Sequence, residues 1–558
     1  MRPPIVPLLV LFLSSTVLGE HQHPLFASAS DSEHYEFGWP VKKVAIVGAG
    51  AGGLLSYREL TRAGFDVRVF ERDSIPGGNW RYTEEVALDA PIPNAPPVVA
   101  DFEPSLPPDN VNLPYEKVHK GVPEEELARI RRDHYLPRPL WSSLKSNAPS
   151  PIQQIRELPW PEGTPWELPR QLLQRYLRSF ASFHGLNAND DNPNISYNTR
   201  VELVQKREDG KGWTVTLRKY TEPGSNEYKE SWWSEDFDAI VVASGRYNAP
   251  NFPSIPGCTE WASKYPGTVI HSRQYRHPDK YENKTVLVIG ASTSASEISA
   301  DINKHAKKVF LSVREENGPP SHLPHRITLS RVPPNTTIIG EIKSFHANNG
   351  SIELLNGTFV TGIDRIIAGT GFRYSFPFLP QYHNTTFKND ELSPGAIVTD
   401  GSHIRSLHLD LVYIEEPTIG FINMNNGMQS FQYGEFASLA LAKIWLGHAK
   451  LPTKSEMWRI HEERVKAEGG YGKHFMFLGE AKNDARLRYF VSWINEAAEK
   501  HGGRQIATPS ESLKEIMQIW GQAHYLSKAG DKGFETNSVS EGILNQGTFW
   551  DSVFADDW

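Results

Sequence analysis

The chain is 558 residues long, more than one hydrophobic core usually supports, so two domains or one large composite are expected. Its apolar content of 39%, with 15 Trp, 20 Tyr and 26 Phe, is ample for packed cores. A net charge of −8, with no basic run beyond Lys42-Lys43 and Lys307-Lys308, argues against a nucleic-acid surface, and the single cysteine, Cys258, rules out an intrachain disulfide and a dithiol active site.

The N-terminus opens on Met1-Arg2, continues through an apolar run from Ile5 to Leu13, and reaches small residues ending at Gly19. This pattern predicts a secretory signal peptide over 1–19, followed by an irregular extension over 20–40. The apolar run is too short for a bilayer span, which takes about 20 such residues. Six glycosylation sequons, at Asn194, Asn283, Asn335, Asn349, Asn356 and Asn384, agree with an N-glycosylated protein of the secretory pathway, in the ER lumen, a vacuole or the medium. No membrane span is expected.

Next comes a strand–turn–helix–strand unit. Val44-Ala-Ile-Val47 is a continuous apolar strand, and Gly48-Ala-Gly50-Ala-Gly-Gly53 follows it directly. Gly48 permits the tight turn, Gly50 lets the backbone approach a pyrophosphate, and Gly53 lets the helix from Leu54 pack on the strand. The helix start offers free N–H groups and a positive dipole end to phosphate. Glu71 closes the next strand, Val67-Arg-Val-Phe-Glu71, where an acid accepts hydrogen bonds from ribose hydroxyls. Gly77-Gly78-Asn79-Trp80 then suits a loop passing close to a flat cofactor, with Gly78 and Trp80 as candidate contacts.

Between Pro91 and Pro169 the chain is rich in Pro and Trp and is expected to wrap a core. Helical spacing returns from Gln171 to His184, alternation marks a strand over Trp213–Leu217, and Ala239–Ala243 reads as a buried strand. A second nucleotide-binding unit begins at Val286-Leu-Val-Ile289, followed by Gly290-Ala-Ser292-Thr-Ser294-Ala295. Ser292 and Ala295 stand where glycine would be ideal; both are small, and a Ser hydroxyl can donate to phosphate. The following strand ends in Arg314 and not in an acid, which suits the 2′-phosphate of NADPH better than the ribose diol of NADH. A helix is expected over Phe431–Gly447, and the residues from 528 form a tail of unassigned role. Alternating strands and helices predict a parallel α/β architecture.

Two dinucleotide sites in this order resemble the flavin-containing monooxygenases. Tyr265-Pro-Gly267-Thr-Val-Ile-His271-Ser-Arg-Gln-Tyr275 is similar to their identifying sequence, with Tyr for the leading Phe. Asp238–Pro250 and Ile367-Ala-Gly-Thr-Gly371-Phe-Arg-Tyr374 resemble their two inter-domain strands, and Trp141-Ser-Ser-Leu-Lys-Ser-Asn147 resembles the stretch whose Asn faces the flavin. The resemblance runs from about Val41 to Met457. It implies two Rossmann-like domains, the NADPH domain (259–370) inserted in an FAD domain (41–258 and 371–527). It also implies FAD and NADPH as cofactors, Asn147 as the catalytic residue, Gly371 as a cofactor contact, and O2 plus a small molecule as substrates. The chemistry implied is attack of a soft nitrogen or sulfur nucleophile on a flavin C4a-hydroperoxide, and the setting implied is secondary metabolism. His271 is expected to be structural.

Three other readings are weighed at this point. A disulfide reductase shares the two-nucleotide plan, but Cys258 has no partner, which excludes it unless a partner protein supplies sulfur. A Baeyer–Villiger relative would carry Trp-Pro at the end of the identifying sequence, where Tyr275-Arg276 stands. A non-catalytic secreted flavin-binding protein is conceivable because the second turn departs from the common pattern.

Overall fold

The computed structural model describes residues 33–315 and 325–526. The signal peptide expected over 1–19 and the tail from residue 528 lie outside them. Of the N-terminal extension, Tyr35 is tied to the body through its amide, which donates to the Leu451 carbonyl at 2.9 Å.

The first unit consists of β1 (Lys43–Val47), α1 (Ala51–Arg62) and β2 (Asp66–Phe70), with β3 (Ala239–Val242) parallel to β1 on its other side. Alternate side chains of these strands point to opposite faces. Val44 and Ile46 join Leu54, Leu55 and Leu60 in a helical core, while Ala45 and Val47 join Trp213, Val215 and Phe237 in another. Both faces are covered, which is why the strands are apolar throughout. The second cover is a four-stranded antiparallel sheet of Tyr115–Lys120, Thr199–Lys206, Trp213–Gly224 and Glu227–Phe237. Only the third of these was foreseen from the sequence, over 213–217; the other three strands, and a helix over Glu124–Tyr135, were not.

The second unit repeats the plan with β4 (Thr285–Ile289), α2 (Thr293–Ile302), β5 (Lys308–Ser312) and β6 (Arg365–Ala368). With Val269–His271 and Thr337–Ile339 they form a five-stranded parallel sheet, all of whose strands fall between residues 269 and 339 or at 365–368. The chain passes into this unit through Ala249–Pro250 and out through Phe372–Arg373, and these two segments pair antiparallel as a two-stranded joint. It then returns to the first sheet, where β7 (Ile419–Phe421) lies parallel to β3. The helix expected over 431–447 is α3 (Ser430–Trp445), buried along nearly its whole length against α1. Three further α-helices complete the described chain, one over Lys454–Ala467, α4 (Gly479–His501) and α5 (Glu511–Leu526). The fold is α/β, with two Rossmann-like domains, the second inserted in the first.

Candidate functional site

The two glycine turns open onto one cavity of about 1230 Å³, larger than an ordinary small-ligand pocket of roughly 300–1,000 Å³. Among the residues singled out from sequence, Gly48, Gly50, Glu71, Gly78, Trp80, Asn147, Gly290, Ser292, Ser294, Arg314 and Gly371 all line it. Gly53 does not. It sits behind the turn, where an added Cβ would collide with the Gly48 carbonyl oxygen.

The first turn is built by close contact. Gly48 has φ +102°, and a Cβ there would lie 2.8 Å from the Ala243 carbonyl oxygen at the end of β3. Gly78 meets Gly50: a Cβ on Gly78 would come within 2.6 Å of the Gly50 Cα. The Gly77–Trp80 loop therefore packs against the turn itself, and the Gly77 amide donates to the Ala49 carbonyl at 3.0 Å. The Glu71 carboxylate is buried, accepting from the Ala49 amide at 2.6 Å and the Asp73 amide at 2.8 Å. Arg138, absent from the sequence-derived set, approaches Glu71 at 3.5 Å and also lines the cavity.

The second turn solves its missing glycine from the opposite side. Gly290 has φ +118°, and its Cβ would lie 2.6 Å from the Gly369 carbonyl oxygen. The Ala295 methyl, standing where a third glycine is usual, is accommodated because Gly369 follows β6; a Cβ on Gly369 would be 2.8 Å from that of Ala295. Ser292 is the N-cap of α2 but its side chain makes no capping bond. Arg314 is exposed on the cavity wall, and Lys473, a second cation not anticipated, lies close enough for the two charges to repel.

The identifying sequence acts as a joint. The His271 ring is fully buried: Nδ1 accepts from the Arg273 amide at 3.2 Å, and Nε2 donates to the Gly371 carbonyl at 3.0 Å. Burial, reinforced by the Arg273 charge, lowers its pKa to about 3, so the imidazole is neutral and both nitrogens are engaged. Tyr275 donates to Asp301 at 2.6 Å, and the buried Arg276 guanidinium donates to the carbonyls of Thr83, Glu85 and Arg138, bolting the second unit to the first. Cys258 is a buried free thiol whose pKa burial pushes up to about 11. It is inert at neutral pH.

Two dinucleotides fit this cavity on its own evidence. The helices after both turns carry no acidic residue in their first turn and no side-chain cap, which leaves their amides for an anion. Among the described residues, buried polar atoms of three cavity-lining side chains, Arg138 Nε, Asn423 Oδ1 and Asn483 Oδ1, have no hydrogen-bond partner, and a bound polar ligand would satisfy them. The described residues contain no group of His, Cys, Asp and Glu able to hold a metal ion.

A family model described as flavin-binding monooxygenase-like matches residues 138–319, and one for an NAD(P)-binding Rossmann-like domain matches residues 46–106. The chain is 48% identical over 524 residues to flavin-containing monooxygenase iboF of Amanita muscaria, covering 89% of this chain and 97% of that protein. It is 29% identical over 478 residues to flavin-containing monooxygenase ustF2 of Aspergillus flavus, covering 81% and 92%. Among solved structures, an S-allyl-L-cysteine S-oxygenase from Allium sativum shares the fold with a TM-score of 0.64 at 23% identity, over 91% of this chain and 99% of that one.

Proposed function

The chain belongs to the flavin-containing monooxygenases, and from that premise we propose that it transfers one oxygen atom of O2 to the nitrogen or sulfur of a small, soft nucleophile. It is an oxidoreductase that uses FAD and NADPH. The observation carrying the finer reading is that both dinucleotide turns and Asn147 line one cavity. When bound, FAD supplies the ring that accepts hydride from NADPH and reacts with O2, one oxygen atom going to substrate and the other to water.

The residues of the chain divide the remaining tasks. Backbone amides after Gly48 and Gly50 would hold the FAD pyrophosphate, and Glu71 and Arg138 would serve its ribose. The Gly290–Ser294 turn would hold NADPH, and Arg314 and Lys473 would supply charge for its 2′-phosphate. Asn147 donates a side-chain hydrogen bond at the oxygenation end and fixes the orientation there. No side chain is needed as an acid or base, because the substrate supplies the nucleophile. The neutral, doubly engaged His271 is consistent with that.

The test is the stoichiometry of NADPH oxidation, O2 uptake and product for methyl phenyl sulfide, N,N-dimethylaniline and cyclohexanone. Sulfoxide or N-oxide carrying 18O from 18O2 is expected. Ester from cyclohexanone without either would replace this reading by a Baeyer–Villiger one, and protein that keeps FAD yet never oxidises NADPH would end it. Asn147→Ala is expected to keep oxidising NADPH while most of the oxygen leaves as hydrogen peroxide.

The reading extends to an N-glycosylated enzyme of the secretory pathway. It is supported by the exposure of Asn283, Asn335, Asn349, Asn356 and Asn384; Asn194 is half-buried, its amide donating to the Tyr57 hydroxyl at 3.2 Å. Among the described residues no helix is long and apolar enough to cross a membrane. Treatment of the protein from a eukaryotic host with an N-glycosidase should lower its apparent mass. An unchanged mass would overturn the lumenal assignment.

A further inference from the structure

Residues 501–526 carry no motif, yet Pro509, Leu513, Lys514 and Met517 line the cavity. The segment leading to α5 is fastened on three sides. The Asn495 side chain exchanges two hydrogen bonds of 2.8 Å with the Ile506 backbone, Arg156 donates to the Ala507 carbonyl at 2.8 Å, and Arg504 pairs with Glu59 at 3.1 Å. Along α5, Leu513, Ile516 and Trp520 fall on one face at helical spacing and are buried against Ile152 and Trp166. The same helix touches the short helix His325–Leu329 of the second unit, so it reaches across both dinucleotide domains. Leu513 and Met517 line the cavity together with Ile152 and Asn147. The Trp520 indole, 2% exposed, donates from Nε1 to the Asn147 carbonyl at 3.2 Å.

We infer that α5 is the substrate-side wall of the oxygenation site, with Leu513 and Met517 selecting the apolar arm of the substrate and Trp520 acting as a positioning residue for Asn147. This rests on the role given to Asn147 above and deepens it. The chemistry of the wall specifies the ligand class. Ile152, Leu513 and Met517 offer hydrocarbon and thioether surface, and the two charged groups beside them on the cavity wall, Lys514 and Asp484, pair with each other at 3.4 Å, Lys514 also meeting Glu511 at 2.8 Å. Such a wall takes an uncharged, apolar substituent next to the nucleophilic nitrogen or sulfur. The Trp520 bond is to the main chain of Asn147, so it sets where that residue stands on the cavity wall.

Three variants test this with methyl phenyl sulfide and the longer benzyl phenyl sulfide as probes. Leu513→Ala and Met517→Ala enlarge the wall. The ratio of KM values for the two sulfides should shift by about tenfold in favour of the longer one, the scale of a few methylenes in an apolar pocket. Anaerobic reduction of the flavin by NADPH, which needs neither side chain, serves as the control. The anaerobic dissociation constants of the two sulfides, titrated on the oxidised holoenzyme, should shift in the same sense and do not depend on turnover. Trp520→Phe keeps the ring and removes the donor. It should lower product per NADPH by roughly three- to tenfold, the scale of one neutral hydrogen bond, with peroxide making up the difference and the melting temperature unchanged. Unaltered ratios in both alanine variants, with full coupling in Trp520→Phe, would overturn the assignment. Full coupling in Asn147→Ala would instead remove the role of Asn147 and leave the wall to be judged on the ratios alone.

Discussion

Arg314 follows β5 with its guanidinium on the cavity wall, and no carboxylate ends that strand to receive a ribose diol. A planar guanidinium matches a phosphate bidentately, and one charge-assisted contact is worth roughly 1.5–3 kcal/mol. Arg314→Ala is therefore expected to weaken NADPH by about 10- to 150-fold while sparing NADH. Titration of both nucleotides onto the oxidised holoenzyme checks this, and equal losses would refute a 2′-phosphate contact. Arg314 was legible because the βαβ pattern numbers its own strand ends. Lys473, far along the chain and outside any motif, was not; only folding brings it beside Arg314. Glu71 was likewise found as an acid closing a strand. Its bonds to the Ala49 and Asp73 amides and its approach to Arg138 depend on where three separate segments come to rest.

The second glycine turn shows how a helix and a strand share a steric requirement. A glycine at position 295 would let α2 settle on the sheet without help; here the room comes from Gly369 after β6. Gly369→Ala should force two Cβ atoms to within 2.8 Å and destabilise the second unit by about 1–3 kcal/mol, with weaker NADPH binding. Adding Ala295→Gly to that variant should recover most of the loss. Denaturant unfolding of the single and double variants measures the coupling, and simple additivity would show that the two residues do not share the space. From the sequence, Ala295 looked like a defect in the pattern. Its compensation lies 74 positions away (369 − 295), at a contact that no local spacing encodes. The strand Glu227–Phe237 escaped notice for a related reason. Its charged residues mask a burial alternation that becomes plain only when the strand is paired between two neighbours.

Several buried groups couple the stability of the protein to pH. His271, His408 and His461 are buried, and burial with nearby arginines lowers their pKa values to about 3, 3 and 4 from an ordinary 6.5. A histidine depressed in the folded state binds its proton more readily when unfolded. Its stabilising contribution is complete above pH 6.5 and drains away as pH falls towards the folded value, at about 1.4 kcal/mol per pH unit for each. Asp410 adds to this at lower pH. Burial by itself would raise its pKa, but Arg464 at 2.5 Å and Arg486 at 3.3 Å outweigh that and hold it at about 2, so its share is present above pH 4 and lost between 4 and 2. The melting temperature is expected to be level near pH 7–8 and to fall steeply from pH 6.5 to pH 4. A melting temperature unmoved between pH 7 and pH 5 would contradict the neutral buried histidines. Asp410→Asn should cost about 3–5 kcal/mol, because it leaves two arginines buried without their anion.

The order of strands, turns and helices in both nucleotide-binding units was written locally, because a pyrophosphate cradle needs apolar strand, glycine turn and helix start in immediate succession. So were the fold class, the two cofactors and the exclusion of a disulfide by the single cysteine. What required the folded chain was everything built from distant segments: the joint of His271 on Gly371, the fit of Ala295 under Gly369, the Arg138 and Lys473 cations, and the wall formed by α5. Local motifs record what a short backbone stretch must do alone. The shape of a cavity is set by which remote surfaces are buried against each other, and spacing along the chain carries no record of that.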